Sequence, residues 1–358
     1  MDNAIILTLT DFTTHNGKTA HGLVRGSERF RILGVIDSVA AGRDAGEVLD
    51  GKHRNIPIFA TLQAAIAGIP EPIHYCIIGI AVSGGKLPAA MLPILKETLQ
   101  NGISIVNGLH EFLSDKPAFV RLAKKHHAKL IDVRRPKKAT DMEYWSGRIA
   151  EVTTPRIAML GMDCAVGKRT TAKFIVDAAR KSGMKAEMIA TGQTGWMQEG
   201  KYAFILDSTL NDFVSGELET AIVSCFHEAA PDFMILNGQS ALRNPMGPCG
   251  SELLVSGGAQ YAILQAMPSR RYYEGTEDVM PVEIPSVESE IALIRMYGSE
   301  TIALTLNTHD LSISEARRLQ AAYGASLGIP VILPLEDGVE ALLEVIKSKI
   351  KGSLKILK

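Results

Sequence analysis

The chain has almost no excess charge. Its 38 Lys and Arg residues stand against 39 Asp and Glu, leaving a formal net charge of -1 over 358 residues. No basic field is available to hold a nucleic-acid backbone, so nucleic acid is not an expected partner. Long apolar runs are missing too: none approaches the ~20 residues a membrane helix needs. The opening Met1-Asp2-Asn3 lacks the basic n-region of a signal peptide. No membrane partner is expected, and the cytoplasm is the expected location. Cysteine is scarce. Cys76, Cys164, Cys225 and Cys249 form no CxxC pair and have no His at ligand spacing, which points to reduced thiols rather than disulfides and predicts no metal site. The first strand is not followed by GxGxxG, so no NAD site is expected.

What is present is a well-buried globular composition, 46% hydrophobic and 22% charged. The length is large for one core and suggests two domains. In the first half, short β-branched runs at 5–9, 30–37, 56–60, 75–81, 103–107 and 129–133 alternate with helix-like stretches at 62–67, 88–100 and 118–125. Such alternation predicts an α/β fold with a doubly wound parallel sheet and right-handed crossovers. Residues 134–149 break the rhythm with Pro136 and the basic cluster Arg134, Arg135, Lys137 and Lys138. That stretch reads either as a solvated connector or as a contact for an anionic ligand. A second series follows, with strands at 156–160, 186–190, 233–236, 261–264, 302–306 and 331–333. Helices are expected at 168–181, 314–325 and 339–349. The expected division is a Rossmann-like domain over 1–134, a linker over 135–152 and a P-loop-containing domain over 153–358.

The most specific segment is Gly161-Met162-Asp163-Cys164-Ala165-Val166-Gly167-Lys168-Arg169-Thr170-Thr171. It follows a buried strand and opens a helix, the context a phosphate loop requires. Successive loop N–H groups and the unpaired donors of the helix start would form an anion cradle, with Lys168 as a point charge on the phosphates. Two departures from GxxxxGK[ST] bear on the ligand. Gly161 lies one residue further upstream, a spacing that resembles dethiobiotin synthetases, which also carry an Asp at the position of Asp163. Arg169 stands where a Mg²⁺-binding Ser or Thr should follow the lysine. Thr170 and Thr171 each point about 100° or more away from that position. The strand 233–236 ends in Asn237-Gly238-Gln239-Ser240, where a hydrolytic P-loop enzyme places an acidic residue. A phosphate cradle with a weak metal site suits a diphosphate used as a handle, as in coenzyme A.

Several segments together carry a family resemblance: 16–25, 42–49, 83–88, 163–168, 191–195, 212–219 and 238–240. Over nearly the whole chain the sequence resembles the DgcN family, D-glutamate N-acetyltransferases long filed as a domain of unknown function. The resemblance implies transfer of an acetyl group from acetyl-CoA to the amine of an acidic amino acid, a small-molecule substrate. That chemistry needs a general base for the amine, donors aimed at the oxyanion and cationic clamps for the acceptor's carboxylates. Candidate catalytic residues are Glu217, Asp212 and Arg243, with Glu219 beside them. The competing reading of the carboxylates is a helix cap or a solvated face, and that of Arg243 is a loop brace. Gln193 and Thr194, after the strand 186–190, Gln239 and Ser240, and Lys86 and Arg25 in the first half are candidate substrate contacts, the strand ends being where open α/β sheets bind ligands. Cys164 has no evident base and reads as a small packing residue. A homo-oligomer is expected. Two other functions stay open: an ATP-dependent kinase or ligase using Mg²⁺, and a nucleotide-sensing regulator without turnover.

Overall fold

The computed structural model describes residues 1–198, 201–277 and 279–356. Among the described residues twelve strands form two six-stranded sheets, parallel throughout. The first holds β1 (Asp2–Leu9), β2 (Phe30–Asp37), β3 (Ile58–Phe59), β4 (Tyr75–Ile78), β5 (Ser104–Asn107) and β6 (Leu130–Asp132), in the order β3-β2-β1-β4-β5-β6. This is the doubly wound Rossmann order. The second holds β7 (Arg156–Gly161), β8 (Ala186–Ala190), β9 (Phe233–Asn237), β10 (Tyr261–Ala266), β11 (Glu300–Leu306) and β12 (Val331–Ile332), in the order β12-β11-β10-β7-β9-β8. Every expected strand is found and the α/β class holds. The strand expected at 56–60 shortens to two residues: Pro57 cannot donate to a ladder, which confines it to a sheet edge.

The chain makes two compact units. One comprises Met1–Lys137, Gly192–Lys201 and Ile205–Thr209; the other comprises Lys138–Thr191, Tyr202–Phe204 and Leu210–Lys358. In the first unit lie α1 (Lys18–Arg25), α2 (Ala45–Asp50), α3 (Leu62–Gly68), α4 (Met91–Gln100) and α5 (Pro117–Lys125). The Asp44 carboxylate starts α2 by accepting from the N–H of Gly46 (2.8 Å) and Glu47 (3.1 Å), and it also takes those of Arg54 and Ile56. That explains the 42–49 motif as local architecture. One face of the sheet is filled by Leu62, Leu95, Leu99 and Phe119, the other by Leu23, Val24, Phe30 and Met197.

In the second unit, α6 (Lys168–Lys181) follows β7. A short helix, α7 (Gln193–Gln198), belongs to the first unit although it follows β8 in the chain. The remaining helices of the second unit are α8 (Val214–Ala229), α9 (Ser251–Leu254), α10 (Val287–Met296), α11 (Ile313–Leu327) and α12 (Glu340–Ile356). A capping box between Ser312 and Glu315 starts α11, and Gly328 in the left-handed region (φ 65°) ends it. Among the described residues no helix is long and apolar enough to cross a membrane.

Candidate functional site

The phosphate loop is where the sequence places it. β7 is buried along its whole length and ends at Gly161; α6 begins at Lys168. Between them the chain turns through Ala165 (φ 51°) and Gly167 (φ 109°). At Gly167 a side chain would be strained by backbone conformation alone. The first N–H groups of α6 have no intrahelical acceptor and carry the positive end of the helix dipole. Loop and helix start together are built for an anion.

Lys168 is 6% exposed and its side chain folds back over the loop. Its ammonium donates to the carbonyl oxygens of Asp163 (2.6 Å) and Ser240 (2.7 Å). Burial pushes its pKa down to about 8, against the smaller pull of Cys164 and Asp163. Ser240 thus reaches the loop from the β9 end. Its hydroxyl also receives the Cys164 thiol at 3.5 Å. Gln239 donates its side-chain amide to the Thr191 carbonyl, and the Thr191 hydroxyl donates to Asn237 O at 2.5 Å.

Asp163 is fully buried and saturated. One oxygen accepts from Cys164 N (2.6 Å) and Asn244 Nδ2 (3.0 Å); the other accepts from Arg270 Nη1 (2.8 Å) and Glu274 N (2.8 Å). The same Arg270 nitrogen donates to the Cys164 carbonyl at 2.8 Å. Asp163 therefore fastens the loop to the chain that follows β9 and β10, and its lone pairs are committed to that role. Asn307, after β11, donates to the Val166 carbonyl at 3.0 Å. Thr171 donates to the buried Gln265 at 2.7 Å, which accepts from Thr305 as well.

This geometry decides how well a divalent cation would be held. Position 169 is an arginine, Thr171 is tied to Gln265, and Asp163 has no lone pair to spare. Asn237, 6% exposed, has a buried side-chain oxygen with no hydrogen-bond partner among the described residues. Among those residues no group of three or more His, Cys, Asp or Glu is arranged to hold a metal. The loop amides and Lys168 suit an anion, while the side chains of Thr171 and Asp163 are already engaged by protein partners.

The other candidates are placed as follows. Arg243 follows Ser240 and Ala241 along the loop and is paired with α10: Nε lies 2.6 Å from Glu290 Oε2 and Nη2 lies 2.7 Å from Ser289 Oγ. Glu217 and Glu219 are both buried on α8, where they hold the 143–149 segment. Glu217 accepts from Glu143 N at 3.0 Å; Glu219 accepts from Ser146 N, Ser146 Oγ and Ile149 N at 2.6, 2.8 and 3.0 Å. Burial raises the Glu219 pKa, but these hydrogen bonds outweigh it and leave the value below normal. Asp212 is exposed in the turn before α8.

Gln193 and Thr194 lie on α7, within the first unit. Gln193 accepts from Arg134 Nη2 at 3.0 Å, and the Thr194 and Thr19 hydroxyls are 2.9 Å apart. Lys86 is exposed beside the 3-10 turn Ser83–Gly85. Arg25 ends α1 with Nε 3.6 Å from Asp50. The basic cluster of 134–138 is partly spent inside the first unit: Arg134 pairs with Asp207 at 2.9 Å and Arg135 lies over the Phe112 ring.

Sequence reading did not single out Asn244, Gln265, Arg270, Glu274, Glu290 or Asn307. The signal open to it was the position of Gln265, Arg270 and Asn307 at or just beyond strand ends, the side on which such sheets bind ligands.

Residues 143–343 match the C-terminal P-loop domain of DUF1611, a domain of unknown function, and residues 38–136 match the Rossmann-like N-terminal domain DUF1611_N. The chain belongs to the DUF1611 family. Two relatives bear the name D-glutamate N-acetyltransferase. One, from a Pseudoalteromonas species, is 28% identical over 278 residues, covering 75% of this chain and 79% of that protein. The other, from Tritonibacter scottomollicae, is 28% identical over 280 residues with the same coverage. A DUF1611 family protein of Anabaena variabilis, known from a crystal structure, superposes with a TM-score of 0.85. It is 28% identical and covers 97% of this chain and 100% of its own.

Proposed function

We propose that this protein transfers the acetyl group of acetyl-CoA to the amine of an acidic amino acid, with D-glutamate the first acceptor to test. The two relatives named for that reaction support it. The observation that carries it is a phosphate loop complete in its anion-holding parts and poor in its cation-holding ones. Lys168, the loop amides and the α6 N-terminus suit a diphosphate. Arg169, Thr171, Asp163 and Asn237 leave Mg²⁺ without its usual ligands.

Coenzyme A carries a diphosphate, and acetyl-CoA brings the acyl group already activated as a thioester, so the reaction needs neither nucleotide hydrolysis nor a metal. The acceptor nitrogen attacks the thioester carbonyl, the C–N bond forms as C–S breaks, and the amine proton must be removed. On the protein side, the loop holds the diphosphate, and the Lys168 ammonium leaves its two carbonyl partners to neutralise it. The absence of a disulfide among the four cysteines suits a reducing, cytoplasmic setting. Incubation with acetyl-CoA and D-glutamate should release free thiol with acetylation of the amine. No release across the acidic amino acids of either hand would overturn the proposal.

A further inference from the structure

Arg243 is held in an unusual way. Its partner Glu290 is almost wholly inside the protein, with a side chain 2% exposed, while the Arg243 side chain is 34% exposed. Glu290 engages Nε and Nη2 from one side, at 2.6 Å each, and Ser289 Oγ lies 2.7 Å from Nη2. Both partners sit in the first turn of α10. Among the described residues Nη1 has no acceptor. The guanidinium is thus fixed along one edge from below and keeps the other edge for solvent.

A carboxylate kept inside the protein is costly unless its arrangement is used. Burial raises the Glu290 pKa, and the Arg243 charge only partly offsets this. A surface arginine braced for stability alone needs no buried partner, and exposed pairs contribute little. What a buried carboxylate gives is direction: the planar fork is locked before any ligand arrives, and little rotamer entropy is then lost on binding.

The position gives that direction a target. Three residues before Arg243, the Ser240 carbonyl accepts from Lys168. One residue after it, Asn244 Nδ2 donates to Asp163 within the phosphate loop at 3.0 Å. The segment carrying Arg243 is therefore stitched to the loop on both sides. The buried Tyr273, whose neighbour Glu274 also donates to Asp163, feels the charges of Glu290, Arg243 and Asp163 together.

We infer that Arg243, aligned by Glu290 and Ser289, is a second anion-recognising group beside the phosphate loop, reading a further carboxylate or phosphate of the reactants, with Glu290 as its positioning residue. This inference rests on the acetyltransferase reading for its ligands. Two sources share the chemistry: the 3′-phosphate of coenzyme A and the side-chain carboxylate of an acidic acceptor. A bidentate clamp on either is what an immobilised guanidinium does best.

Wild type, Arg243→Lys and Glu290→Gln are compared by calorimetry with CoA, dephospho-CoA and inorganic pyrophosphate, and by steady-state kinetics with D-glutamate against D-glutamine. Pyrophosphate meets the loop alone, so unchanged pyrophosphate affinity certifies an intact fold in each variant. Both substitutions should weaken the same ligand by about tenfold or more. If the 3′-phosphate is read, CoA loses affinity and dephospho-CoA does not. If the acceptor carboxylate is read, CoA affinity is kept and KM for D-glutamate rises while kcat and the D-glutamine constants hold. An active wild type whose variants match it with every probe overturns the inference and leaves the acetyltransferase reading intact. Variants that lose pyrophosphate as steeply as CoA reduce Arg243 to a loop brace, which also overturns it. A wild type that holds pyrophosphate but neither CoA nor D-glutamate overturns both readings.

Discussion

Lys168 lies directly across Gly161: a Cβ added to Gly161 would stand 2.8 Å from the lysine Cδ and 2.9 Å from its Nζ. The first glycine of the loop is therefore the floor on which the folded-back lysine rests. The obstruction is a flexible side chain, so the chain can yield by moving the lysine. Gly161→Ala should change stability little, by less than about 1 kcal/mol, yet displace the ammonium and weaken pyrophosphate binding. Thermal melts and calorimetry on the one variant test this; unchanged affinity would show that the lysine does not use that floor.

Lys168 also predicts a pH dependence. Its folded pKa is about 8 because it is buried, whereas an unfolded lysine titrates near 10.4. Between these values the unfolded chain binds more protons, so this residue's contribution makes stability rise with pH across that window. Anion affinity runs the opposite way. Phosphate needs the charged lysine, so binding should weaken as pH climbs through about 8 and take up protons there. Calorimetry of pyrophosphate in buffers of different ionisation heat measures the uptake, and Lys168→Met should abolish it. A wild-type affinity flat from pH about 7 to about 9.5 sinks the prediction.

Asp163 holds the loop from inside. Asp163→Ala strands the Arg270 cation and three further donors, which should cost about 3–5 kcal/mol. Because Arg270 is the charged partner, Asp163→Ala with Arg270→Met should cost less than the sum of the two single changes. Denaturant unfolding of the four proteins gives the cycle. Strict additivity would mean that the 2.8 Å contact carries no coupling.

For Glu219 the expected effect is on folding. Its pKa lies below normal in the folded chain despite burial, because Ser146 and Ile149 donate to its ionised form. The stabilisation is therefore complete above the ordinary glutamate pKa of about 4.3 and is lost as pH falls through the lower folded value. Glu219→Gln should cost about 1.5–3 kcal/mol at neutral pH and blunt the acid unfolding. Retained turnover in the folded variant would mark it as an anchor; loss of kcat with full stability would contradict that.

The strand–loop–helix around Lys168 was legible because all its determinants are local: a buried strand at 156–160, followed at once by a glycine-rich turn and a helix start within 161–171. What secures it was not. Asn244, Arg270 and Glu274 lie 81, 107 and 111 positions beyond Asp163, and no local pattern links them. The buried Glu217 and Glu219 interrupt the apolar stripe of α8 and read as catalytic candidates, because a sequence does not reveal backbone donors at 143, 146 and 149. Thr194 was expected at a ligand edge by its place after β8. In the structure, the six residues of α7 meet α1 and the Thr19 hydroxyl instead. A helix so short advertises no partner of its own.

That short helix changes how the gene can be cut. Met197 fills the same apolar layer as Leu23, Val24 and Phe30, Gln198 donates to the carbonyls of Gly22 and Gly26, and the Arg29 guanidinium lies 3.7 Å from the centre of the Trp196 ring. A fragment ending at residue 137 would emerge from the ribosome with that layer unroofed. The apolar layer of the leading half is completed only by residues some sixty positions beyond 137. Swapping front halves between relatives would then succeed only if residues 192–201 travel with them.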